Sequence, residues 1–390
     1  MTLHIVCDEN LAITPMLESY ASTLVRKPGR EICLQDVMHA DALLVRSVTR
    51  VNEELLSGSA VKFVGTATAG TDHIDEQALE NLGVAFSAAP GMNANAVAEY
   101  VLTCIAHVGS IDSLVNGAKV GIVGYGHVGK TISQKLLALG ARVLVFDPWT
   151  DVPEPIKSDS LDDVFTCSIV SLHAALHDNP PWPSRDLLGS LSTLPVAADG
   201  LLINAARGPL LSSSDCLRLR EHGWQLVLDT WPDEPFIAQQ LLNNVRLGTP
   251  HIAGYSKQAK NNATDFLMKK LVSALNLPGP DLRDSETSEH KHRLHPASSE
   301  QSDSWLTEML KDNCGLEKDD AALRSCANTC ANGAVQGDVE QGAFDRLRRD
   351  YMLRNELAGS EVLLTPSQSA IRPICQAMGI IPITTVNKED

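Results

Sequence analysis

The sequence is short of basic residues. Its 390 residues include 32 Lys plus Arg against 48 Asp plus Glu, a formal net charge of -16 at pH 7. Proteins that bind nucleic acid or an anionic membrane need a basic surface that displaces counterions. The composition therefore predicts neither partner, and an anionic ligand has to be held by a local cluster of Arg and Lys.

Paired cysteines and long apolar runs are also missing. The nine cysteines form no C-x-x-C pair, and only Cys326 and Cys330 are close in sequence, so we expect reduced, packing thiols in a cytoplasmic protein. The first ten residues, MTLHIVCDEN, predict a strand rather than a cleavable signal. No apolar run is long enough to cross a bilayer. A chain of this length is expected to hold two or three domains.

The sequence does contain a glycine-rich turn, in the stretch 119–147 that reads KVGIVGYGHVGKTISQKLLALGARVLVFD. Gly124, Gly126 and Gly129 follow the apolar run 120–123 with the spacing G-x-G-x-x-G. This spacing is typical of a tight strand-to-helix turn whose second glycine lets a pyrophosphate approach the backbone. The helix N-terminus that follows offers free N–H groups and partial positive charge to a phosphate.

The residues after the turn favour a dinucleotide as the ligand. An apolar stripe of helical period follows the glycines, and the run from Arg142 to Phe146 predicts a second parallel strand. Asp147 comes 18 residues after Gly129, where a carboxylate accepts hydrogen bonds from the adenosine ribose and repels a 2′-phosphate. We therefore expect NAD as the cofactor. The alternative is a glycine-rich turn that binds nothing.

Strand candidates alternate with helical segments, which predicts an α/β protein with two doubly wound parallel sheets. We expect a substrate domain at 1–95 and 257–278, a Rossmann NAD domain at 96–256, and a linker with a small third α/β domain at 279–390. Further expectations are strands at 3–7, 42–45, 62–64 and 84–87, a helix at 17–25, two helices capped by Asn95 and Ser256, and a C-terminal strand at 361–364.

Three histidines, His290, His292 and His295, lie in the polar segment 281–303. Such a tract can bind metal, but no carboxylate or thiol constellation accompanies it. We interpret the segment as a solvated linker and expect no metal site.

Two loops of the first domain follow strands and are expected to face a ligand, because ligands bind outside the carboxyl ends of parallel strands. Arg46 and Ser47 end one strand, and Thr68, Ala69 and Gly70 follow the next. Small side chains and hydroxyls leave backbone N–H groups accessible to a carboxylate, and Arg46 is a candidate for a substrate phosphate. An ordinary surface turn is the alternative for the second loop.

Three successive strand ends of the second domain carry Arg207, Glu234 and His251. Removing a hydride from a carbon with a hydroxyl beside a carboxylate needs a base with a pKa near the working pH, and histidine fits best. A carboxylate bonded to the imidazole fixes its tautomer, and a guanidinium binds the substrate carboxylate bidentately. Singly, each residue can be an ion pair, a solvated acid or a structural histidine. Together they predict a hydroxy-acid dehydrogenase site.

Four motifs at these positions, GYGHVG, NAARGP, DTWPDEP and TPHIAGY, resemble the signatures of NAD-dependent D-isomer-specific 2-hydroxyacid dehydrogenases. The resemblance implies that the first domain is flavodoxin-like. It also implies residue roles: active-site residues Arg207 and Glu234, proton acceptor and donor His251, substrate contacts Ser47, Thr68 and Tyr255, and NAD contacts Asp147, Asp229 and Gly254.

Further motifs narrow the resemblance: LLVRSVTRVN, FVGTATAGTDHID, FSAAPGMNANAVAEYV and the tail FDRLRRDYMLRNE. They resemble a branch of the family that acts on a phosphorylated hydroxy acid in pyridoxal 5′-phosphate biosynthesis. This branch carries a C-terminal dimerisation domain, which implies a homodimer. Two rivals are a dehydrogenase of another phosphorylated 2-hydroxy acid, such as 3-phosphoglycerate, and a non-catalytic NAD(H)-sensing module.

The chain also departs from the family pattern. Residues 173–176 read HAAL where the family usually has H-T-P-L. Ala174 therefore lacks the hydroxyl expected near the nicotinamide side of NAD, and Ala175 replaces a proline. Pro232 stands in DTWP where D-V-W-E is usual. These changes bear on cofactor affinity and loop geometry, and they leave the three candidate catalytic residues in place.

Overall fold

The computed structural model describes residues 3–108, 111–196, 199–279, 292–294, 302–329 and 339–384. The chain divides into two units. One consists of Met1–Asn93 with Ser256–His290, and the other of Ala94–Tyr255 with Lys291–Asp390. Among the described residues, no helix is both long and apolar enough to span a membrane.

Strands and helices alternate along both units. The strands are β1 Leu3–Asp8, β2 Ala21–Lys27, β3 Ala42–Val45, β4 Phe63–Thr66, β5 Ala85–Ala88, β6 Lys119–Val123, β7 Arg142–Phe146, β8 Ile169–Leu172, β9 Gly200–Asn204, β10 Trp224–Leu228, β11 Leu247–Gly248, β12 Arg293–Leu294, β13 Glu361–Leu364 and β14 Ile381–Thr384. The helices are α1 Pro15–Tyr20, α2 Leu34–Val37, α3 Glu53–Leu56, α4 Glu76–Asn81, α5 Ala94–Val108, α6 Ile111–Val115, α7 His127–Ala138, α8 Leu161–Val164, α9 Ser213–Glu221, α10 Gln239–Asn244, α11 Lys257–Ala274, α12 Ser302–Asn313, α13 Leu316–Thr329, α14 Gln341–Arg349 and α15 Arg372–Met378.

The first unit is built on a five-stranded parallel sheet with the order β2-β1-β3-β4-β5. This is the strand order of flavodoxin-like folds, as expected. Strands β3 and β4 are buried at every position, because helices cover both faces of such a sheet. Helix α11 begins after Ser256, whose hydroxyl accepts a hydrogen bond from the N–H of Ala259 at 2.9 Å, so the predicted cap is confirmed.

The helix predicted over 17–25 is confirmed over 17–20 and wrong over 21–25. Helix α1 ends at Tyr20, and the chain continues directly into β2, the edge strand that pairs in parallel with β1. Residues 22–25 are Ser, Thr, Leu and Val, and the branched Thr23 and Val25 favour the extended chain. The apolar spacing suited a helix, but pairing with the open edge of β1 decides the structure.

The second unit contains a six-stranded parallel sheet with the order β11-β10-β9-β8-β6-β7. The predicted Rossmann architecture is confirmed, with β7 at the predicted residues. The strand order reverses at β6, whose neighbours are β7 and β8. Open α/β sheets bind ligands at such a switch point, outside the carboxyl ends of the strands. The fold therefore places the glycine-rich turn after β6 at the expected ligand position.

The C-terminal part of the chain belongs to this second unit. Strands β12, β13 and β14 form a small parallel sheet, and β13 and α15 make the predicted α/β pattern. Helix α12 packs on α5, and α15 packs on α7. Trp305 of α12 and Met378 of α15 are fully buried. They belong to the same hydrophobic core as Tyr100 of α5 and Leu136 of α7, a core that also includes residues of the Rossmann sheet. The division into three domains stays a prediction.

Asn95 does not cap a helix, contrary to the prediction. It lies within α5, and its side-chain amide donates to Glu99 at 2.9 Å and to Glu356 at 2.7 Å. Glu99 and Glu356 are both buried. Two buried carboxylates thus share the same amide donor, one from α5 and one from the C-terminal segment. The sequence before α5 gave no sign of a partner so far along the chain.

Replacing Asn95 by Ala is expected to lower the free energy of unfolding by about 1–3 kcal/mol, because it removes one hydrogen-bond donor from each of two buried carboxylates. Equilibrium denaturation measures this change. Asn116→Ala is the matched control, since Asn116 is exposed and bonds only within its own helix turn. An equal effect of the two substitutions would contradict the role assigned to Asn95.

Candidate active site

The glycine-rich turn joins β6 to α7, and its three glycines differ in what a side chain would meet. Gly124 has φ +97°, and a Cβ there would run into the backbone of His173 and Ala174. At Gly129 a Cβ would collide with the carbonyl oxygen of Gly124. At Gly126 it would meet nothing within 4 Å. Packing within the protein therefore requires two of the glycines, whereas the third borders open space at the start of α7.

This open space fits a pyrophosphate. Gly126 is the N-cap of α7, and no side chain caps the first turn of that helix. The N–H groups and the positive end of the helix dipole therefore point at the space that a Cβ on Gly126 would narrow. A bound anion explains a glycine that the packing of the protein does not need.

Asp147 follows β7 and joins that strand to the glycine-rich turn. One carboxylate oxygen accepts from the N–H of Tyr125 at 2.6 Å, and the other from Trp149 at 2.9 Å and Thr150 at 3.1 Å. Tyr125 stands between the first two glycines, so the carboxylate fixes the path of the turn. Its predicted contact with the ribose of NAD stays a prediction.

His251 and Glu234, two of the candidate catalytic residues, are in direct polar contact. Nδ1 of His251 lies 2.7 Å from Oε1 of Glu234, which is the contact expected of an imidazole held by a carboxylate. The N–H of Trp231 donates to the other oxygen of Glu234 at 3.3 Å. With Nδ1 engaged, Nε2 is the nitrogen left to exchange a proton with a substrate.

The pKa of Glu234 lies below its ordinary value. Burial raises this pKa, but the electrostatic effect of His251, the hydrogen bond between the two side chains and the nearby guanidinium of Arg348 outweigh burial. The carboxylate therefore stays ionised at neutral pH, the state that can stabilise an imidazolium.

Asp229 shapes the loop that carries His251. Its carboxylate is fully buried, and it accepts hydrogen bonds from the hydroxyl of Thr249 at 2.7 Å and from the N–H groups of Ile252 at 2.7 Å and Ala253 at 2.9 Å. The backbone carbonyl of Asp229 accepts from the N–H of His251 at 2.8 Å. Both carboxylate oxygens are thus engaged with the loop. The contact with NAD that the resemblance implies stays a prediction.

Two features show that this arrangement of the loop is unfavourable in free energy. His251 has φ +55°, a left-handed conformation that is uncommon for residues other than glycine and is found at functional sites. Burial raises the pKa of Asp229 above its ordinary value despite the opposing effects of His251 and the loop donors. The surrounding contacts hold a backbone geometry that the local sequence does not favour.

Arg207 follows β9, and its loop touches the loop of Glu234. The carbonyl of Arg207 accepts from the side chain of Asn204 at 2.9 Å, and its guanidinium donates to the carbonyl of Ala206 at 2.8 Å. A Cβ on Gly208 would overlap the backbone of Trp231. This close approach brings the strand ends of β9 and β10 together, so two of the three predicted catalytic residues stand on adjoining loops.

Gly254 and Tyr255 complete the turn after His251, where the N–H of Tyr255 donates to the carbonyl of Ile252 at 2.8 Å. The ring of Tyr255 packs edge-on against Tyr351 at 6.1 Å. It also lies 5.8 Å from the guanidinium carbon of Arg348. Both partners come from the C-terminal segment, which the sequence analysis related only to dimerisation. The four arginines in FDRLRRDYMLRNE are the sequence feature that could have indicated a charged role near the site.

The remaining substrate candidates lie in the first unit: Arg46, Ser47, Thr68, Ala69 and Gly70. The hydroxyl of Thr68 bonds that of Thr66 at 2.8 Å and donates to the carbonyl of Gly70 at 2.8 Å. Thr66 in turn contacts Nε2 of His73 at 2.9 Å. The loop after β4 is therefore an ordered turn with an internal network. His73 is a residue of this loop that the sequence analysis missed.

His173 is a second missed residue. It directly follows β8, its N–H donates to the carbonyl of Val123 at 2.7 Å, and Nε2 lies 2.9 Å from the hydroxyl of Ser171. Burial lowers the pKa of His173 to about 3, so the ring is neutral. Ala174 lies against Gly124, and Ala175 is exposed. Within the described residues, no cluster of His, Cys, Asp and Glu is arranged to hold a metal ion.

Comparison with known proteins defines the class. Residues 6–282 match the family model described as D-isomer specific 2-hydroxyacid dehydrogenase, catalytic domain, and the chain belongs to this family of dehydrogenases. Solved structures share the fold. An NAD⁺-bound 3-phosphoglycerate dehydrogenase of Entamoeba histolytica is 20% identical with a TM-score of 0.59, covering 71% of this chain and 96% of that one. A D-lactate dehydrogenase of Aquifex aeolicus is 19% identical with a TM-score of 0.54, covering 70% and 96%.

Curated relatives resemble the chain over nearly its whole length. An erythronate-4-phosphate dehydrogenase of Cellvibrio japonicus is 37% identical over 382 residues, which cover 97% of this chain and 99% of the relative. The protein of the same name from Acinetobacter baylyi is 37% identical over 364 residues, covering 91% and 98%. In both relatives the similarity includes the C-terminal segment.

Replacing Glu234 by Gln is expected to lower kcat roughly 10²-fold or more, because the neutral amide no longer fixes and stabilises the protonated imidazole. The lowered pKa also adds stability, which is present above the ordinary value of 4.5 and is lost as the pH falls through the lowered pKa. The stability difference between wild type and Glu234→Gln is therefore expected to shrink in acid.

Steady-state rates and urea denaturation between pH 3 and 8 measure both effects. Asp233→Asn is the matched control, because this neighbouring acid is exposed and its carboxylate accepts a hydrogen bond from Ser213. A Glu234→Gln variant with the kcat of the control would remove Glu234 from the site.

Proposed function

We propose that the protein oxidises the 2-hydroxyl of 4-phospho-D-erythronate with NAD, giving 2-oxo-3-hydroxy-4-phosphobutanoate and NADH, a step of pyridoxal 5′-phosphate biosynthesis. The observation that carries the chemistry is the 2.7 Å contact between His251 and Glu234, on the same sheet that carries the glycine-rich turn. The names of the relatives, which match over more than nine-tenths of the chain, support the choice of substrate.

The cofactor-binding residues in this proposal are Gly124, Gly126, Gly129, Asp147, Asp229 and Gly254. When bound at the glycine-rich turn, NAD supplies the hydride acceptor. The glycine whose Cβ would enter open space is the support for this assignment.

The catalytic roles follow from the chemistry of the side chains. Nε2 of His251 takes the proton of the C2 hydroxyl as the hydride leaves C2, and the C–O single bond becomes a carbonyl. Glu234 holds Nδ1 and stabilises the imidazolium that results. Arg207 binds the substrate carboxylate and polarises the oxygen on C2. In the reverse direction His251 returns the proton.

Substrate recognition is assigned to both units. Tyr255 of the second unit and Ser47, Thr68, Ala69 and Gly70 of the first contact the sugar acid, and Arg46 binds the phosphate. We further propose a homodimer in the cytoplasm, formed through residues 279–390, with the substrate domain at 1–95 and 257–278 and the NAD domain at 96–256. Sedimentation of the full-length protein tests the dimer.

The central experiment is NADH formation with 4-phospho-D-erythronate, compared with 3-phosphoglycerate, for wild type and His251→Ala. We expect kcat/KM to favour the four-carbon acid and His251→Ala to lose the activity by about 10²–10⁴-fold. A protein that binds NADH but oxidises neither acid would instead support a sensing module. A higher kcat/KM for 3-phosphoglycerate would assign the other substrate.

Gly126→Ala is expected to weaken NAD binding and leave the stability unchanged, because the added methyl group enters the space assigned to the pyrophosphate. Gly129→Ala is the contrasting variant, since its methyl group collides with the backbone of Gly124 and is expected to destabilise the unit. Isothermal titration with NAD and thermal unfolding separate the two effects. Unchanged affinity in Gly126→Ala would contradict the cofactor site.

Arg46→Gln is expected to raise KM for 4-phospho-D-erythronate at least tenfold, and much less for unphosphorylated erythronate, because only the first substrate carries the dianion that a guanidinium binds. The unphosphorylated acid is the internal control. An equal rise of KM for both acids would remove Arg46 from the phosphate site.

A further inference from the structure

The C-terminal segment reaches the loop that carries His251. Arg354 is buried, and its guanidinium donates to the carbonyls of Ala253 at 2.7 Å, Tyr255 at 2.9 Å and Ala96 at 2.8 Å. Two of these acceptors flank Gly254, within four residues of His251. The third belongs to the first turn of α5. A single side chain therefore ties the candidate active-site loop to the Rossmann core.

Arg348 of α14 contacts Tyr255 of the same loop. Its guanidinium carbon is 5.8 Å from the centre of the Tyr255 ring, and a hydrogen bond joins the two side chains. Phe344, one helical turn earlier, packs against the same guanidinium at 5.6 Å. Arg348 is 9% exposed, and its Nε has no hydrogen-bond partner. A buried cation is costly without nearby negative charge. Burial lowers the pKa of this guanidinium, but Tyr255, Glu234 and Asp345 raise it by more.

Arg348 and Glu234 each affect the pKa of the other side chain. Arg348 contributes to the lowered pKa of Glu234, and Glu234 contributes to the raised pKa of Arg348. The carboxylate that holds Nδ1 of His251 thus also feels a guanidinium from the C-terminal segment. Removing Arg348 removes one of the effects that oppose the burial of Glu234.

We propose that the C-terminal segment is part of the active site of its own chain, with Arg348 and Arg354 as positioning residues for Glu234, Tyr255 and the His251 loop. This inference rests on the proposed function for its kinetic test. Neither arginine is placed on the substrate. Arg348 fixes Tyr255 and the charge of Glu234, and Arg354 fixes the backbone between His251 and Tyr255. The segment then has a catalytic task besides any role in dimerisation.

Arg348→Gln in the full-length protein is the first test. We expect kcat with 4-phospho-D-erythronate to fall about 10- to 100-fold, since displacement of a catalytic group by about an ångström has such effects, and KM for NAD to stay within about twofold, as the glycine-rich turn is untouched. Arg348→Lys is expected to recover part of kcat, because it restores the charge without the planar fork.

Arg349→Gln is the matched control. Arg349 is the next residue of α14, is exposed and pairs with Asp350, so this variant is expected to keep the wild-type kcat. The proposal is overturned if Arg348→Gln and Arg349→Gln have the same kcat, or if the loss in Arg348→Gln equals the loss of folded protein in thermal unfolding. A Lys variant no more active than the Gln variant overturns the role given to the charge.

Arg354→Lys tests the loop without depending on turnover. Hydrogen exchange of peptides covering 249–255 is expected to speed up, because the N–H groups of Ile252 and Ala253 lose their fixed geometry, while peptides of β7 keep the wild-type rate. Equal changes in both regions, or none in 249–255, would overturn the role of Arg354. If wild type oxidises no hydroxy acid, the proposed function fails and this measurement still decides the inference.

Discussion

The buried carboxylate of Asp229 is the interaction on which the candidate site depends. It accepts hydrogen bonds from the hydroxyl of Thr249 and from the N–H groups of Ile252 and Ala253. These bonds hold the intervening His251 in a left-handed conformation. Hydrogen bonds to a charged group contribute about 1.5–3 kcal/mol each, whereas burying the charge costs several kcal/mol. The raised pKa of Asp229 shows that burial is the larger effect. Burial of this carboxylate therefore opposes the stability that its hydrogen bonds to the loop provide.

The parts of this architecture that the sequence predicted are those that local patterns encode. A strand in a parallel sheet is covered on both faces, so runs such as ALLV at 42–45 and RVLVF at 142–146 are recognisable by composition. The glycine-rich turn follows from sterics at Gly124 and Gly129. Because functional residues of α/β folds follow the carboxyl ends of strands, the sequence alone predicts the pairing of Glu234 with His251, which His251 Nδ1 and Glu234 Oε1 make at 2.7 Å.

What the sequence did not predict depends on distant partners. The position of Asn95 is typical of a helix cap, but its side-chain amide donates a hydrogen bond to Glu356, 261 positions later in the chain. Residues 21–25 carry apolar spacing compatible with a helix, and only the free edge of β1 makes them a strand. The sequence shows that the tail is rich in arginine, but it does not show which residues these arginines contact. The contact of Arg354 with Tyr255 spans 99 residues. Tertiary contacts override local propensity at each of these places.

The contact between Arg354 and the carbonyls of Ala253 and Tyr255 also has a consequence for biosynthesis. The loop that carries His251 emerges from the ribosome before Arg354 has been synthesised, because 99 residues separate Tyr255 from Arg354. At a translation rate of about 5–20 residues per second, this interval lasts roughly 5–20 s. Throughout this interval, the loop of the nascent chain lacks the hydrogen bonds that Arg354 donates to it. The loop therefore reaches the geometry described above only after residue 354 has been synthesised.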